Sequence, residues 1–216
     1  MLTITTVPVT IYEQNARVLV DTKNQEAVVV DPGGDVDRII AVIPPATRLR
    51  AIWITHSHID HVGGVADLLA RYPGAPIAVM AHPDDGMNQA LLELQSQRLG
   101  IPYSGAFRVT DTVHEGMTVC IGDHDFTVYE TPGHAQGHVS YFLSTSINTF
   151  KGPLVLSGDT VFQRGMGRTD LPGGNYDQLI ESIKTKLMTL PPETVVLSGH
   201  GPSTTIHAES QIRYMG

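Results

Sequence analysis

The 216-residue sequence contains a single cysteine, Cys120. One thiol excludes an intramolecular disulfide framework, and it excludes zinc sites of the CxxC kind. Aromatic residues are scarce at 6% and charged residues at 17%, while 41% of the chain is hydrophobic, which fits neither a disordered segment nor a polybasic tail. Positive charge is in short supply: 14 Lys and Arg stand against 22 Asp and Glu, for a formal charge of −8. That balance argues against nucleic acid as a partner. Nowhere do about 18 apolar residues follow one another, so no segment reads as a membrane span. Residues 1–20 lack the basic start and apolar core of a signal peptide and alternate like a strand, which sets the expectation of a cytoplasmic protein. The length suits one domain over residues 1–216. What the chain has in plenty is histidine, ten residues in all.

Periodicity supplies the scaffold. Alternation and β-branched content predict strands over 2–12, 17–22, 27–31, 50–55 and 77–80, with helices over 36–43, 62–72 and 84–99. Further on, 118–121 and 126–130 flank Gly122-Asp123-His124-Asp125 as a hairpin, and strands follow over 139–143 and 154–156. Asn175 caps a helix carrying Leu179, Ile183 and Leu187, then a strand over 194–197 precedes a closing helix over 205–214. Two strand-rich halves, each finished by helices, imply an α/β fold of two sheets with helices outside.

The chemistry concentrates in Thr55-His56-Ser57-His58-Ile59-Asp60-His61. Leaving a strand, His56 and His58 are two apart and share a side while the backbone stays extended. Asp60 and His61 follow where the chain turns into a helix and face the same space from a second direction. Three other candidates each follow a short apolar strand beside glycine: His134 in Thr131-Pro132-Gly133-His134, Asp159 in Ser157-Gly158-Asp159, and His200 in Ser198-Gly199-His200-Gly201. Glycine at a strand end lets the backbone turn sharply, and such loops carry site residues. One zinc uses three or four protein ligands, so seven donors suit two ions about 3.5–4 Å apart. The expected assignment puts His56, His58 and His134 on the first ion and Asp60, His61 and His200 on the second, with Asp159 as the bridge. Zinc is the expected metal, and iron or manganese suits the same imidazole and carboxylate donors.

The run His56-x-His58-x-Asp60-His61 followed by His134, Asp159 and His200 resembles the metallo-β-lactamase superfamily, from Asp31-Pro32-Gly33 through Ser198-Gly199-His200-Gly201-Pro202. The resemblance implies a four-layer αββα sandwich with the site at one edge. Within the superfamily the chain is most similar to the glyoxalase II group (hydroxyacylglutathione hydrolases), in particular to its short bacterial YcbL-type members. Thr131-Pro132-Gly133-His134 with a second histidine at His138, Gly158-Asp159 followed by Gly167-Arg168-Thr169-Asp170, and Gly199-His200-Gly201-Pro202 carry that similarity. Long glyoxalase II enzymes add a C-terminal helical domain whose basic residues hold glutathione. Here 16 residues follow His200, with Arg213 their only Lys or Arg, so that domain is not expected. Gly167-Arg168-Thr169-Asp170 also occurs in the iron-dependent persulfide dioxygenases, whose chains lack the Gly-His-Gly ending.

The expected activity is hydrolysis of a small anionic thioester of the S-lactoylglutathione type by a hydroxide bridging two divalent ions, with Asp60 orienting the nucleophile or moving its proton. A persulfide dioxygenase and a lactonase or β-lactamase-like hydrolase are the alternatives. Asp31 reads either as support for a metal-bound imidazole or as a turn former. His138 reads as a hydrogen-bonded structural histidine, and Arg168 with Asp170 as an ion pair shaping a loop. Cys120, between Val119 and Ile121, is expected to be a small buried hydrophobe. His82, His114, His124 and His207 read as surface or loop residues.

Overall fold

The computed structural model describes residues 1–85 and 88–212 of the chain. Strands β1 (Leu2–Val9), β2 (Gln14–Asp21) and β3 (Glu26–Val30) form an antiparallel meander. After α1 (Val36–Ala41) the chain returns as β4 (Arg48–Trp53), parallel to β3. The short helices α2 (Ile59–Val62) and α3 (Val65–Ala70) lead to β5 (Ala78–Ala81), and α4 (Gln89–Leu99) leads to β6 (Asp111–Thr112). These complete a six-stranded sheet in the order β1-β2-β3-β4-β5-β6.

The second half opens with the hairpin β7 (Thr118–Ile121) and β8 (His124–Glu130), where Ile121 pairs with His124 across a two-residue turn. Then come β9 (Val139–Leu143), β10 (Leu154–Gly158) and the small ribbon β11 (Val161–Phe162) and β12 (Gly165–Met166). Helix α5 (Tyr176–Ser182) widens into a π-helical turn over Ile183–Leu187, and β13 (Val195–Ser198), β14 (Thr204–Thr205) and α6 (Ile206–Ser210) follow. The second sheet has the order β14-β13-β10-β9-β8-β7.

Period-two alternation decides which layer each side chain joins. In β3, Ala27 and Val29 pack under the helices of the first half, while Val28 and Val30 face the opposite sheet. In β10, Leu154 and Leu156 face the first sheet and Val155 packs beneath α5. Three apolar layers result, one between the sheets and one under the helices of each half, as a four-layer αββα sandwich requires. The central layer is anchored by Trp53, stacked on Tyr141 at 5.2 Å and meeting the edge of Phe126 at 5.2 Å. The Tyr141 hydroxyl donates to the Ile54 carbonyl at 2.9 Å, which satisfies its polar end in this apolar layer and ties the two sheets together.

Several expectations change. The helix expected over 62–72 begins only at Val65 and ends at Ala70, while Val62 closes the separate helix α2. Gly63-Gly64 part the two because the Pro32-Gly33 backbone lies against that junction: a Cβ on Gly63 would come 2.8 Å from the Gly33 oxygen, and one on Gly64 2.8 Å from the Pro32 oxygen. The same approach brings Asp31 beside His61. Helix α4 begins at Gln89 and not near 84, since the Asn88 side chain accepts from the Ala90 and Leu91 N–H groups and caps it there. Cys120 is exposed, because its neighbours Val119 and Ile121 take the inward positions and alternation turns Cys120 outward. The closing helix spans Ile206–Ser210; the end of the segment expected to be helical, with Arg213, lies outside the described residues. No helix among the described residues is long and apolar enough to cross a membrane.

Candidate metal centre

The seven donors read from the sequence converge where the two sheets open at one edge. His56 and His58 follow β4, Asp60 and His61 lie in α2, His134 follows β8, Asp159 follows β10, and His200 follows β13. In the first group His58 Nδ1 lies 3.0 Å from His56 Nε2 and 2.9 Å from His134 Nε2. In the second, Asp60 Oδ2 lies 3.1 Å from His200 Nε2 and 3.8 Å from His61 Nε2. Asp159 stands between the groups: Oδ2 is 3.6 Å from His134 Nε2 and 3.7 Å from His200 Nε2, and Oδ1 is 3.4 Å from His61 Nε2.

Hydrogen bonds on the outer ring nitrogens set the tautomers. Asp31 Oδ2 accepts from His61 Nδ1 at 2.9 Å and from the Thr55 hydroxyl at 2.7 Å, while Oδ1 accepts from the Thr55 N–H at 2.8 Å. With its proton committed to Asp31, the Thr55 oxygen accepts from His56 Nδ1 at 3.0 Å. His134 Nδ1 donates to the Arg168 carbonyl at 2.8 Å, and His200 Nδ1 donates to the Tyr12 carbonyl at 3.1 Å. Each of these four imidazoles therefore turns Nε2 inward, and His58 turns its Nδ1. Asp31 performs this service with a positive φ of 51°, a conformation costing a non-glycine residue about 1–2 kcal/mol.

Such a set of inward ring nitrogens and carboxylates fits metal ions. Tetrahedral bonds of 2.0–2.1 Å put neighbouring donors about 3.3 Å apart, in the middle of the separations found here. His61 Nε2 and Asp159 Oδ1 are buried and have no hydrogen-bond partner, although both point into the centre. Burial, reinforced by the neighbouring imidazoles, holds His56 neutral far below its usual range; burial and His134 bring His58 down to about 4, and burial also lowers His134. Around His61 the balance reverses: burial opposes its charge, yet Asp159, Asp60 and Asp31 outweigh that and raise it well above the ordinary imidazole value. Burial likewise opposes ionisation of Asp60 and Asp159, and the imidazoles around them, His61 foremost, hold both low. Burial opposes the charge of His200 as well, yet the hydrogen bond to Asp60 and the charge of Asp159 outweigh that and raise it. The carboxylates thus hold protons on His61 and His200 that divalent cations would displace, while His56, His58 and His134 stay neutral.

His138 is fully buried and lies outside the donor set. Its Nε2 accepts the Asp159 backbone N–H at 3.0 Å, so Nδ1 carries the proton and donates to the Thr131 hydroxyl at 2.9 Å. The backbone of Asp159 is thereby held in place. Arg168 makes paired bonds of 2.7 and 2.6 Å to Asp170 at the cavity rim and presents only its carbonyl to His134. Gly199 is required by close approach, since a Cβ there would sit 2.2 Å from Asp159 Oδ1. His82 donates to Glu130 at 3.0 Å, with His114 beside it, in a group that shares no residue with the seven donors.

Sequence reasoning missed several contributors. Thr55 is a plain strand-end residue whose role exists only through Asp31, and the carbonyls of Tyr12 and Arg168 carry no side-chain signal. Asp85 accepts from the Ser57 N–H at 2.8 Å and so fixes the backbone between His56 and His58. Its position three residues after His82 in a polar turn offered nothing to single it out. The donors open onto a cavity of about 540 Å³, walled on one side by α4 and on the other by residues 134–136, Arg168 and residues 171–173. That volume suits a small molecule.

A model of the metallo-beta-lactamase superfamily matches residues 12–200. The chain is 34% identical over 207 residues to hydroxyacylglutathione hydrolase GloC of Haemophilus influenzae, covering 95% of this chain and 93% of that protein. Among solved structures, the B3 metallo-beta-lactamase BLEG-1 aligns with a TM-score of 0.83 at 34% identity, over 97% of both chains. TTHA1623 in a di-iron-bound form aligns at 0.80 and 32% identity, over 97% of this chain and 98% of that one. Fold, donor geometry and these likenesses agree: the chain belongs to the metallo-beta-lactamase superfamily, a family of metal-dependent hydrolases whose members typically bind two divalent ions.

Proposed function

We propose that the protein is a metal-dependent thioesterase of the glyoxalase II type, hydrolysing S-acylglutathione substrates such as S-lactoylglutathione. One observation carries this reading: seven donors in two groups, spanned by Asp159, open onto a cavity sized for a small molecule. The likeness to GloC supports the thioester over other acyl compounds. In this reading His56, His58 and His134 hold one ion, Asp60, His61 and His200 hold the other, and Asp159 serves both; zinc is the expected metal.

When bound, two divalent ions would polarise the scissile carbonyl and acidify the attacking water. The remaining work falls to the chain. Thr55, Asp31 and the carbonyls of Arg168 and Tyr12 hold a proton on the outer nitrogens of His56, His61, His134 and His200, so each of these rings presents Nε2 to the centre. His138 fixes the backbone of Asp159. Asp60 lines the cavity, and its carboxylate is placed to orient the attacking water and take up its proton. A thiolate, with a conjugate acid of pKa about 8.5, is weakly basic enough to depart without an acid on its side and takes a proton from solvent after release. Neither the exposed Cys120 nor any serine nucleophile enters.

Thiol release from S-lactoylglutathione by the purified, metal-loaded protein tests the proposal. It should disappear with a chelator, return on adding zinc, and fall by several orders of magnitude in Asp159→Asn. Oxygen uptake with glutathione persulfide, together with one iron per chain, would replace this reading with the dioxygenase.

A further inference from the structure

Helix α4 lies over the metal centre with an unusual face. Its positions 91, 94, 95, 98 and 99 fall on one side at the i, i+3, i+4, i+7, i+8 spacing, and all five line the cavity. Three are leucines left open to that space: Leu91 is 37% exposed, Leu94 41% and Leu99 40%. Only Leu92 packs into the protein. The helix is nevertheless held firmly, by the Asn88 cap and by Gln95, whose side-chain carbonyl accepts the Ile59 N–H at 2.9 Å, one residue from His58 and Asp60. Leu171 and Pro172 extend the apolar lining on the facing wall.

Charge in the cavity is just as selective. Two arginines line it, and the Arg168 guanidinium is taken up by Asp170. Arg98, one turn beyond Leu94 on the same face of α4, has no ion-pair partner among the described residues. A lactoyl group is too short to cover three leucines spread over about two helical turns and would leave most of the stripe in contact with water. A peptide-like thiol portion, rich in amide and carboxylate groups, matches the leucines no better. An apolar acyl chain covers them.

We propose that the acyl group selected by this site is an unbranched apolar chain of several carbons, laid along Leu91, Leu94 and Leu99, with Arg98 drawing in the anionic substrate. This rests on the thioesterase reading and specifies its substrate class. Burying a methylene is worth about a twofold to fourfold gain in binding, according to how completely it is covered.

The experiment compares S-acetyl-, S-butanoyl-, S-hexanoyl- and S-D-lactoylglutathione on the metal-loaded protein, alongside binding of the non-hydrolysable thioethers S-methyl- and S-hexylglutathione measured by calorimetry. Expected results are a kcat/KM for hexanoyl at least about tenfold above acetyl and lactoyl, and a similarly tighter Kd for S-hexyl over S-methyl. In Leu94→Gln and in Leu91→Gln the hexanoyl-to-acetyl ratio and the S-hexyl preference should both shrink by about fivefold, a ratio that general damage to the fold does not move. Arg98→Gln should raise KM across the series. Brisk hydrolysis that favours lactoyl, or shows no rise with chain length, overturns the acyl proposal and leaves the thioesterase standing. Tight S-hexyl binding without turnover of any thioester retains the apolar subsite and removes the thioesterase. Absence of both sinks the two together.

Discussion

Replacing Asp31 with asparagine exchanges one oxygen for an NH2 group at a position where three donors meet: the Thr55 N–H, the Thr55 hydroxyl and His61 Nδ1–H. Neither amide orientation satisfies them. With the NH2 toward Thr55 N, two donors that cannot rearrange collide. With the NH2 toward His61, the imidazole escapes by moving its proton to Nε2, directly at Asp159 and Asp60, and its lone pair is lost to the centre. The second outcome is cheaper. The NH2 also removes the acceptor of the Thr55 hydroxyl, whose oxygen still accepts from His56 Nδ1 and whose proton is left unmatched, so His56 keeps its tautomer. Asp31→Asn should therefore lose the ion held by Asp60, His61 and His200 while keeping the other. A disturbed ligand-orienting partner costs about 10–100-fold in metal affinity, or about 1.4–2.7 kcal/mol. The unmatched buried donor lowers stability by about 1–3 kcal/mol. Metal analysis after dialysis against buffered zinc should give near one ion per chain against two in the parent, and long-range proton–nitrogen NMR spectra should show His61 protonated on Nε2. Two ions bound with unchanged affinity, or a His61 still protonated on Nδ1, would refute the tautomer argument.

Gly199→Ala should cost at least tenfold in metal affinity, read by competition with a chelating dye, because the added Cβ displaces the Asp159 carboxylate. Asp85 is pushed well above the ordinary carboxylate value of 3.8 by burial, so the folded state binds its proton more tightly than the unfolded chain does. Stability must then fall as pH rises from about 4 through the folded value, by at most about 1.4 kcal/mol per pH unit for this one group. Asp85→Asn, which keeps an acceptor for the Ser57 N–H, should flatten that slope in urea melts across pH 4–8; a slope identical to the parent's would contradict it. Exposed Cys120 should alkylate readily in the native protein with thioesterase activity retained, and protection until denaturation would place it inside.

How much of this could be read from the sequence varies by kind of residue. The strands of the central layer announce themselves by alternation, since Val28, Val30, Leu154 and Leu156 must face one way and Val29 and Val155 the other. The donors were legible because histidine and aspartate clustered beside glycine at strand ends have few other uses. What stayed hidden depends on partners distant in sequence: Thr55 on Asp31, the Tyr12 carbonyl on His200, and the split of α2 from α3 on the Pro32-Gly33 backbone. Two-residue strands such as β6 and β14 have no periodicity of their own and exist because a neighbouring strand offers free backbone groups. The outward turn of Cys120 was derivable by strict alternation, which outranks the average preference of cysteine for the interior.

The division of the donors between the halves has a mechanical side. His56, His58, Asp60 and His61 stand on the first sheet and the α2 segment that follows it, whereas His134, Asp159 and His200 stand on the second. Neither half carries both complete donor groups, so loading the centre rivets one sheet to the other at the open edge of the sandwich. The two ions would close long chain loops much as a disulfide does, suppressing relative hinging of the sheets, in a protein whose single thiol can form no such cross-link.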